Sequence, residues 1–328
     1  MGVAVPHQLA GWTPIGVAGS GLEQLVDWCF TAGVDFLDPF FDQTVDRCLQ
    51  EPFRLLFRRR TSMAALAQRA EIMPGLRPSG LVFHTSRCGS TLVSQMLAHL
   101  PSVLVMAEPG PLGSLLAARS VDASVAEEQQ RDWFRAMVAA LGQPRRAEHR
   151  HFVIKFDAWA VLHLPFIRSA FPDVPAIFIT RDPVEVLVSQ LGHRGYHMIP
   201  GSLPPALLGL RPDQVTSLAP EAYVATVLAR LLESVLSVPA GDRPALIDYR
   251  QLPGAVIDTI GPLFSIEIGT DERARLLDVA SRDAKNPCVG WAGDTEAKRL
   301  RATDRLRAEV ERLVQPLYES LGAPRGLR

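Results

Sequence analysis

No uninterrupted apolar run in these 328 residues approaches the roughly 20 residues that a membrane-spanning helix needs. The opening Met1-Gly2-Val3-Ala4-Val5-Pro6 has neither a basic segment nor a long apolar one, so no secretory leader is expected. Cysteine is scarce. The four, Cys29, Cys48, Cys88 and Cys288, show neither C-x-x-C nor zinc-ligand spacing, so the expectations are a reduced cytoplasmic compartment and no metal centre. Net charge is nearly absent too: at -1, with 21% charged residues, the chain has no general attraction for nucleic acid or an anionic membrane. Any basic site must therefore be local. There is no internal repeat and no low-complexity tract.

What is there is an ordinary globular composition, 47% hydrophobic, long enough for one large α/β core or two modest ones. Residues 1–77 read as a helical N-terminal extension packed on the main domain. Amphipathic stretches at 22–32, up to Leu56, and at 62–70 surround an aromatic and acidic run, Phe36 to Asp42, that reads as packing surface. Pro74, Gly75, Pro78 and Gly80 then punctuate the chain. From 78 to 328 short apolar strands alternate with helices, with strands at 81–83, 103–106, 152–155, 176–180 and 245–249. The fold class is α/β: a three-layer sandwich with a central parallel sheet. Residues 192–220, dense in Gly, Pro and His, read as a long loop or lid.

The most informative segment is Leu81-Val82-Phe83-His84-Thr85-Ser86-Arg87-Cys88-Gly89-Ser90-Thr91. A strand, a short polar loop and a helix start bring backbone N–H groups and a helix N-terminus to one point, a P-loop-like phosphate site. It departs from G-x-x-x-x-G-K-[ST] at the first Gly and at the Lys, its cation standing earlier as Arg87. Downstream, Arg181 leaves a strand at its carboxyl end, where open α/β sheets bind ligands, and Ser189 follows two helical turns later. Both can face one anion, the guanidinium fork suiting phosphate oxygens.

The loop 86–91, taken with Phe178-Ile179-Thr180-Arg181-Asp182-Pro183 and Ser189, resembles the sulfotransferase family, which uses PAPS (3′-phosphoadenosine 5′-phosphosulfate) as donor and leaves PAP. The resemblance implies that Arg87, Cys88, Gly89, Ser90 and Thr91 hold the 5′-phosphosulfate and that Arg181 and Ser189 hold the 3′-phosphate. It implies that Lys155 steadies the leaving oxygen. Where many cytosolic members carry a His two residues after that Lys, this chain has Asp157. A branch that includes the tyrosylprotein sulfotransferases uses a Glu after the second strand, and Glu108 stands there, so Glu108 is the preferred general base and Asp157 the second choice. Arg282 and Lys285, before Gly290-Trp291-Ala292-Gly293, correspond loosely to the family's closing basic segment, and Tyr249-Arg250-Gln251-Leu252 to a structural one.

The implied reaction moves a sulfuryl group to a hydroxyl, less readily an amine, of a small molecule. The Leu, Pro and aromatic content of 192–220 and of the extension hints at an apolar acceptor. A P-loop kinase using ATP and a non-catalytic PAP-binding protein remain the alternatives, and the oligomeric state, a homodimer included, stays open. His193 and His197 form H-x-x-x-H without the Glu of a zincin helix and read as acceptor-loop or surface histidines; His84 and His163 are able to face the site but read as structural; nothing marks Cys88 as a nucleophile.

Overall fold

A computed structural model describes residues 9–121, 124–286, 288–290 and 295–322. The opening six residues and Trp291 to Gly293 lie outside the described residues. No described helix is long and apolar enough to cross a membrane.

Three strands, β1 (Trp12–Ala18), β2 (Leu25–Phe30) and β3 (Arg59–Ser62), form an antiparallel sheet in the order β1-β2-β3. The helical reading of the extension is corrected here. Helices do cover Phe41–Leu49, Pro52–Leu56 and Met63–Ile72, but the expected helix at 22–32 is strand β2. The physical reason is its period of two. Val26 and Trp28 point inward, while Asp27 points out and pairs across the sheet with Arg60 at 2.6 Å. The Trp28 indole N–H donates to Thr61 Oγ1, 2.9 Å away on β3, giving the buried ring its polar partner.

The second sheet is parallel throughout. Strands β4 (Gly80–His84), β5 (Val103–Ala107), β6 (His151–Lys155), β7 (Ala176–Thr180) and β8 (Ala245–Asp248) lie in the order β5-β6-β4-β7-β8. Their side chains alternate between two apolar layers. Phe83, Phe152 and Phe178 face one, with Phe134 and Leu228; Val82, Val153 and Ile177 face the other, with Val93 and Ile260. Each large apolar side chain so buried contributes about 1.5–3 kcal/mol. Trp28, Phe41 and Leu66 of the N-terminal segment belong to the first layer's core, so that segment does not form its core alone.

The helix Gly110–Val121, not anticipated from the sequence, follows β5. Residues 192–220 contain short turns at Tyr196–Met198 and Pro205–Leu208 and a helix at Pro212–Ser217; buried Met198, Leu203, Leu208 and Val215 hold the segment down. Because β4 is central and the chain builds outward on both sides of it, the carboxyl ends of all five strands open onto one crevice. Each strand ends in chemistry: Ser86-Arg87 just after β4, Glu108 after β5, Lys155 and Asp157 at β6, Arg181 after β7, Tyr249-Arg250 after β8.

Candidate active site

The loop after β4 is bent by three residues with positive φ: Ser86 (63°), Arg87 (53°) and Gly89 (83°). Left-handed residues in succession turn their N–H groups to one side, the concave arrangement that binds anions. For Ser86 and Arg87 the conformation is strained, about 1–3 kcal/mol each. Gly89 is required twice over. Its φ is left-handed, and a Cβ there would lie 2.8 Å from Leu252 Cδ1 and 2.9 Å from Tyr249 Cδ2. The helix Ser90–Ala98 follows at once, with its N-terminus over the loop.

Two cavities meet at this loop. The larger, about 500 Å³, is lined by Gly89, Ser90, Thr91 and Ser189 and by six cations, Arg87, Arg181, Arg250, Arg282, Lys285 and Lys298, against one lining carboxylate, Asp283. In a chain of net charge -1 this is a concentrated basic site. The smaller, about 190 Å³, is lined by Glu108, Asp157, His84, His197 and Phe40 among others. Arg87, Ser90, Thr91 and Lys285 line both and form the junction. Only three of the 34 Lys and Arg residues are lysines, and all three are here: Lys285 and Lys298 in the cavity walls and Lys155 bonded to Glu108.

Arg181 is positioned from several sides. Asp182 caps the next helix, Pro183–Gly192, its carboxylate accepting from Val184 N (2.9 Å) and Glu185 N (3.3 Å). Glu185, one turn on and buried, takes Arg181 Nε at 2.7 Å and Arg299 Nε at 3.0 Å. Arg181 Nη2 donates to Thr295 Oγ1 at 3.1 Å, and the guanidinium lies 4.0 Å from the centre of the Tyr249 ring. Tyr249 and Arg250, in the segment read as structural, also line the basic cavity.

On the other side of the loop, Lys155 is fully buried, lines neither cavity, and is ion-paired to Glu108. Its ammonium lies 5.0 Å from the centre of the Phe40 ring, and that of Lys285 lies 5.6 Å from it. Phe40, read from the sequence as packing surface, is thus part of the wall. The Glu108 N–H donates to the Lys155 carbonyl at 2.6 Å, and Glu108 also has positive φ (56°). Burial opposes ionisation of Glu108, but Lys155 and His84 beside it hold its carboxyl well below the usual carboxylate range. Asp157 moves the other way: burial, then the Glu108 charge, push it well above that range. Two neighbouring carboxyls are so driven apart, one kept ionised and one kept protonated.

His84 and His197 line the smaller cavity, and both are buried. His84, read as structural though able to face the site, and His197, read as an acceptor-loop or surface histidine, both stand in this wall. The Ser86 N–H donates to His84 Nδ1 at 2.9 Å, which puts the proton of the neutral ring on Nε2, 3.5 Å from Glu108 Oε1. Burial lowers His197 to about 4, so this ring is neutral near pH 7. His163 lies elsewhere, against Ser120 and Trp159. Cys88 is fully buried beneath the loop with Val93 and lines neither cavity, so the structure does not bring it to the site with its loop neighbours. Arg282 is paired to Asp278 at 2.8 Å at the outer wall.

No family model matches the chain, and no curated protein matches it in sequence. Among solved structures, sulfotransferase STF9 from Mycobacterium avium is similar at a TM-score of 0.41 and 15% identity, over 81% of this chain and 84% of its own. A sulfotransferase from Alicyclobacillus acidocaldarius is similar at 0.42 and 13% identity, over 76% and 97%. Sulfotransferase STF1 from Mycobacterium tuberculosis is similar at 0.36 and 14% identity, over 73% and 81%.

Proposed function

We propose that the protein is a PAPS-dependent sulfotransferase acting on a hydroxyl of a small molecule. The observation that carries this reading is the meeting of two chemically different cavities at the phosphate loop. A basic cavity large enough for a nucleotide opens, across Arg87, Ser90 and Thr91, onto a small chamber holding a split pair of carboxyls. The basic cavity is lined by residues of the 86–91 loop and by Arg181 and Ser189, which we read as two anion grips. A donor with a 5′-phosphosulfate and a 3′-phosphate uses both; ATP has no second phosphate group for Arg181 and Ser189.

In this reading the transferred sulfur sits at the junction, under Arg87 and the Ser90 and Thr91 N–H groups. The acceptor oxygen, approaching from the smaller chamber, forms a bond to sulfur as the bond from sulfur to the 5′-phosphate oxygen breaks. The hydroxyl proton passes to Glu108, with Asp157 beside it as the second carboxyl. Negative charge gathers on the leaving phosphate oxygen, where a fixed cation lowers the barrier. Lys155 is the cation assigned to it. For that, Lys155 leaves Glu108 when the donor binds, and the same exchange releases Glu108 from the charge that suppresses its basicity. Catalysis is positioning and electrostatics, as in phosphoryl transfer.

The test is a calorimetric comparison of PAP and ATP, followed by transfer from labelled PAPS. PAP is expected to bind at least about 100-fold more tightly than ATP, the worth of two charge-assisted hydrogen bonds. Equal or tighter binding of ATP, with magnesium-dependent turnover, would replace this reading with the kinase one.

A further inference from the structure

Resting on the sulfuryl-transfer reading, we propose that the smaller chamber takes a compact, uncharged polyol of sugar-ring size, not a flat apolar phenol and not an amine. Its size is the first constraint. At about 190 Å³ it is smaller than the roughly 300–1,000 Å³ of drug-sized sites, and holds a single ring.

The walls are the second. Hydrogen-bonding groups enter from four separate segments: His84 and Ser86, Glu108, Asp157, and His197. His197 is 5% exposed and its Nε2 has no hydrogen-bond partner. Buried polar atoms are costly to leave unpaired, so a ligand that reaches them must itself hydrogen-bond. A hydroxyl both donates and accepts, and so matches a neutral imidazole, a protonated Asp157 and an ionised Glu108 together. An apolar ring would strand all of them.

Charge is the third. Arg87 and Lys285 line the chamber and Lys155 lies behind Glu108, whereas burial and its neighbour keep Asp157 uncharged. Before the donor binds, the local balance is positive, which repels an ammonium group.

The mouth supplies the fourth constraint. Tyr196 lines the chamber with 63% of its surface exposed, and its hydroxyl donates to the Ser202 carbonyl at 2.9 Å, holding the ring in place. A fixed aromatic face beside convergent polar groups suits a molecule with one C–H face and a rim of hydroxyls. The apolar acceptor suggested by the composition of 192–220 does not fit these walls.

The experiment offers labelled PAPS with methyl glucoside, inositol, naphthol and hexylamine to the full chain, after PAP binding has been measured. Transfer to one of the polyols with kcat/KM at least about 100-fold above naphthol and hexylamine is the expected result, because a site built to hydrogen-bond hydroxyls rejects analogues lacking them. His197→Phe keeps a ring without nitrogen, and Tyr196→Ala removes only the rim. Each is expected to raise KM for the polyol about 10-fold while PAP affinity holds, the Tyr196 variant guarding against misfolding in the other. PAP binding with transfer to naphthol or hexylamine, or to neither polyol, overturns the proposal and leaves the sulfotransferase reading standing. Failure to bind PAP removes that reading and the proposal with it.

Discussion

The two cavities on either side of the phosphate loop are built on opposite electrostatic plans. In the larger, several cations already have carboxylate partners: Arg181 with Glu185, Arg250 with Asp248, Arg282 with Asp278. Of these, the buried Arg181–Glu185 pair fixes its guanidinium in place. In the smaller, two carboxyls stand among cations that shift them. Lys155 depresses Glu108, and Glu108 in turn raises Asp157. One side gathers cations; the other holds two carboxyls driven to opposite protonation states.

The sharpest way to break this comparison is Glu108→Gln. If Glu108 accepts the acceptor's proton, turnover is expected to fall about 100- to 10,000-fold, with PAP affinity nearly unchanged in calorimetry. Near-normal turnover would pass the role to Asp157 or to neither. Arg181→Ala acts on the other cavity and should weaken PAP binding about 10- to 100-fold. Because Glu185 keeps Arg299, the fold is expected to survive, with thermal unfolding checking it. Unchanged PAP affinity would remove Arg181 from the site.

The smallest effect is on stability. Asp157 is raised in the folded chain, so as pH climbs past the ordinary Asp value of about 4 the unfolded state ionises while the folded state does not. Its contribution therefore lowers stability as pH rises, until the folded group itself ionises. Asp157→Asn removes that penalty. The variant is expected to gain melting temperature over the parent at about pH 8 and to gain less at about pH 4. An equal or larger gain in acid would mean that Asp157 is ordinary.

Much of this site was legible as sequence because its parts carry local signatures. The run Leu81 to Phe83 followed by Ser86 to Thr91 reads as strand, loop and helix, and Asp182-Pro183 marks a helix start that leaves Arg181 at the strand end. The strand at 176–180 has the same bounds in the structure. The extension was misread because Leu22, Leu25, Val26 and Cys29 also satisfy a helical spacing. The pairing of Asp27 with Arg60, 33 residues away, supplies the sheet partner that the local pattern does not contain. Phe40, Tyr249, Lys298 and His197 carry no such signature, since each reaches the site from a separate element. One available signal was the scarcity of lysine: with arginine serving nearly all the surface pairs, the three compact ammonium groups mark the site.

The sequence by itself determined the alternation of strands and helices and the phosphate loop at residues 86–91, because apolar periodicity, caps and turn residues act over a few positions. Only the tertiary structure decided that the loop divides a basic cavity from a carboxyl-bearing chamber. That division depends on which strand lies beside which, and on burial, which sends Glu108 and Asp157 in opposite directions although each is an ordinary acid in the chain.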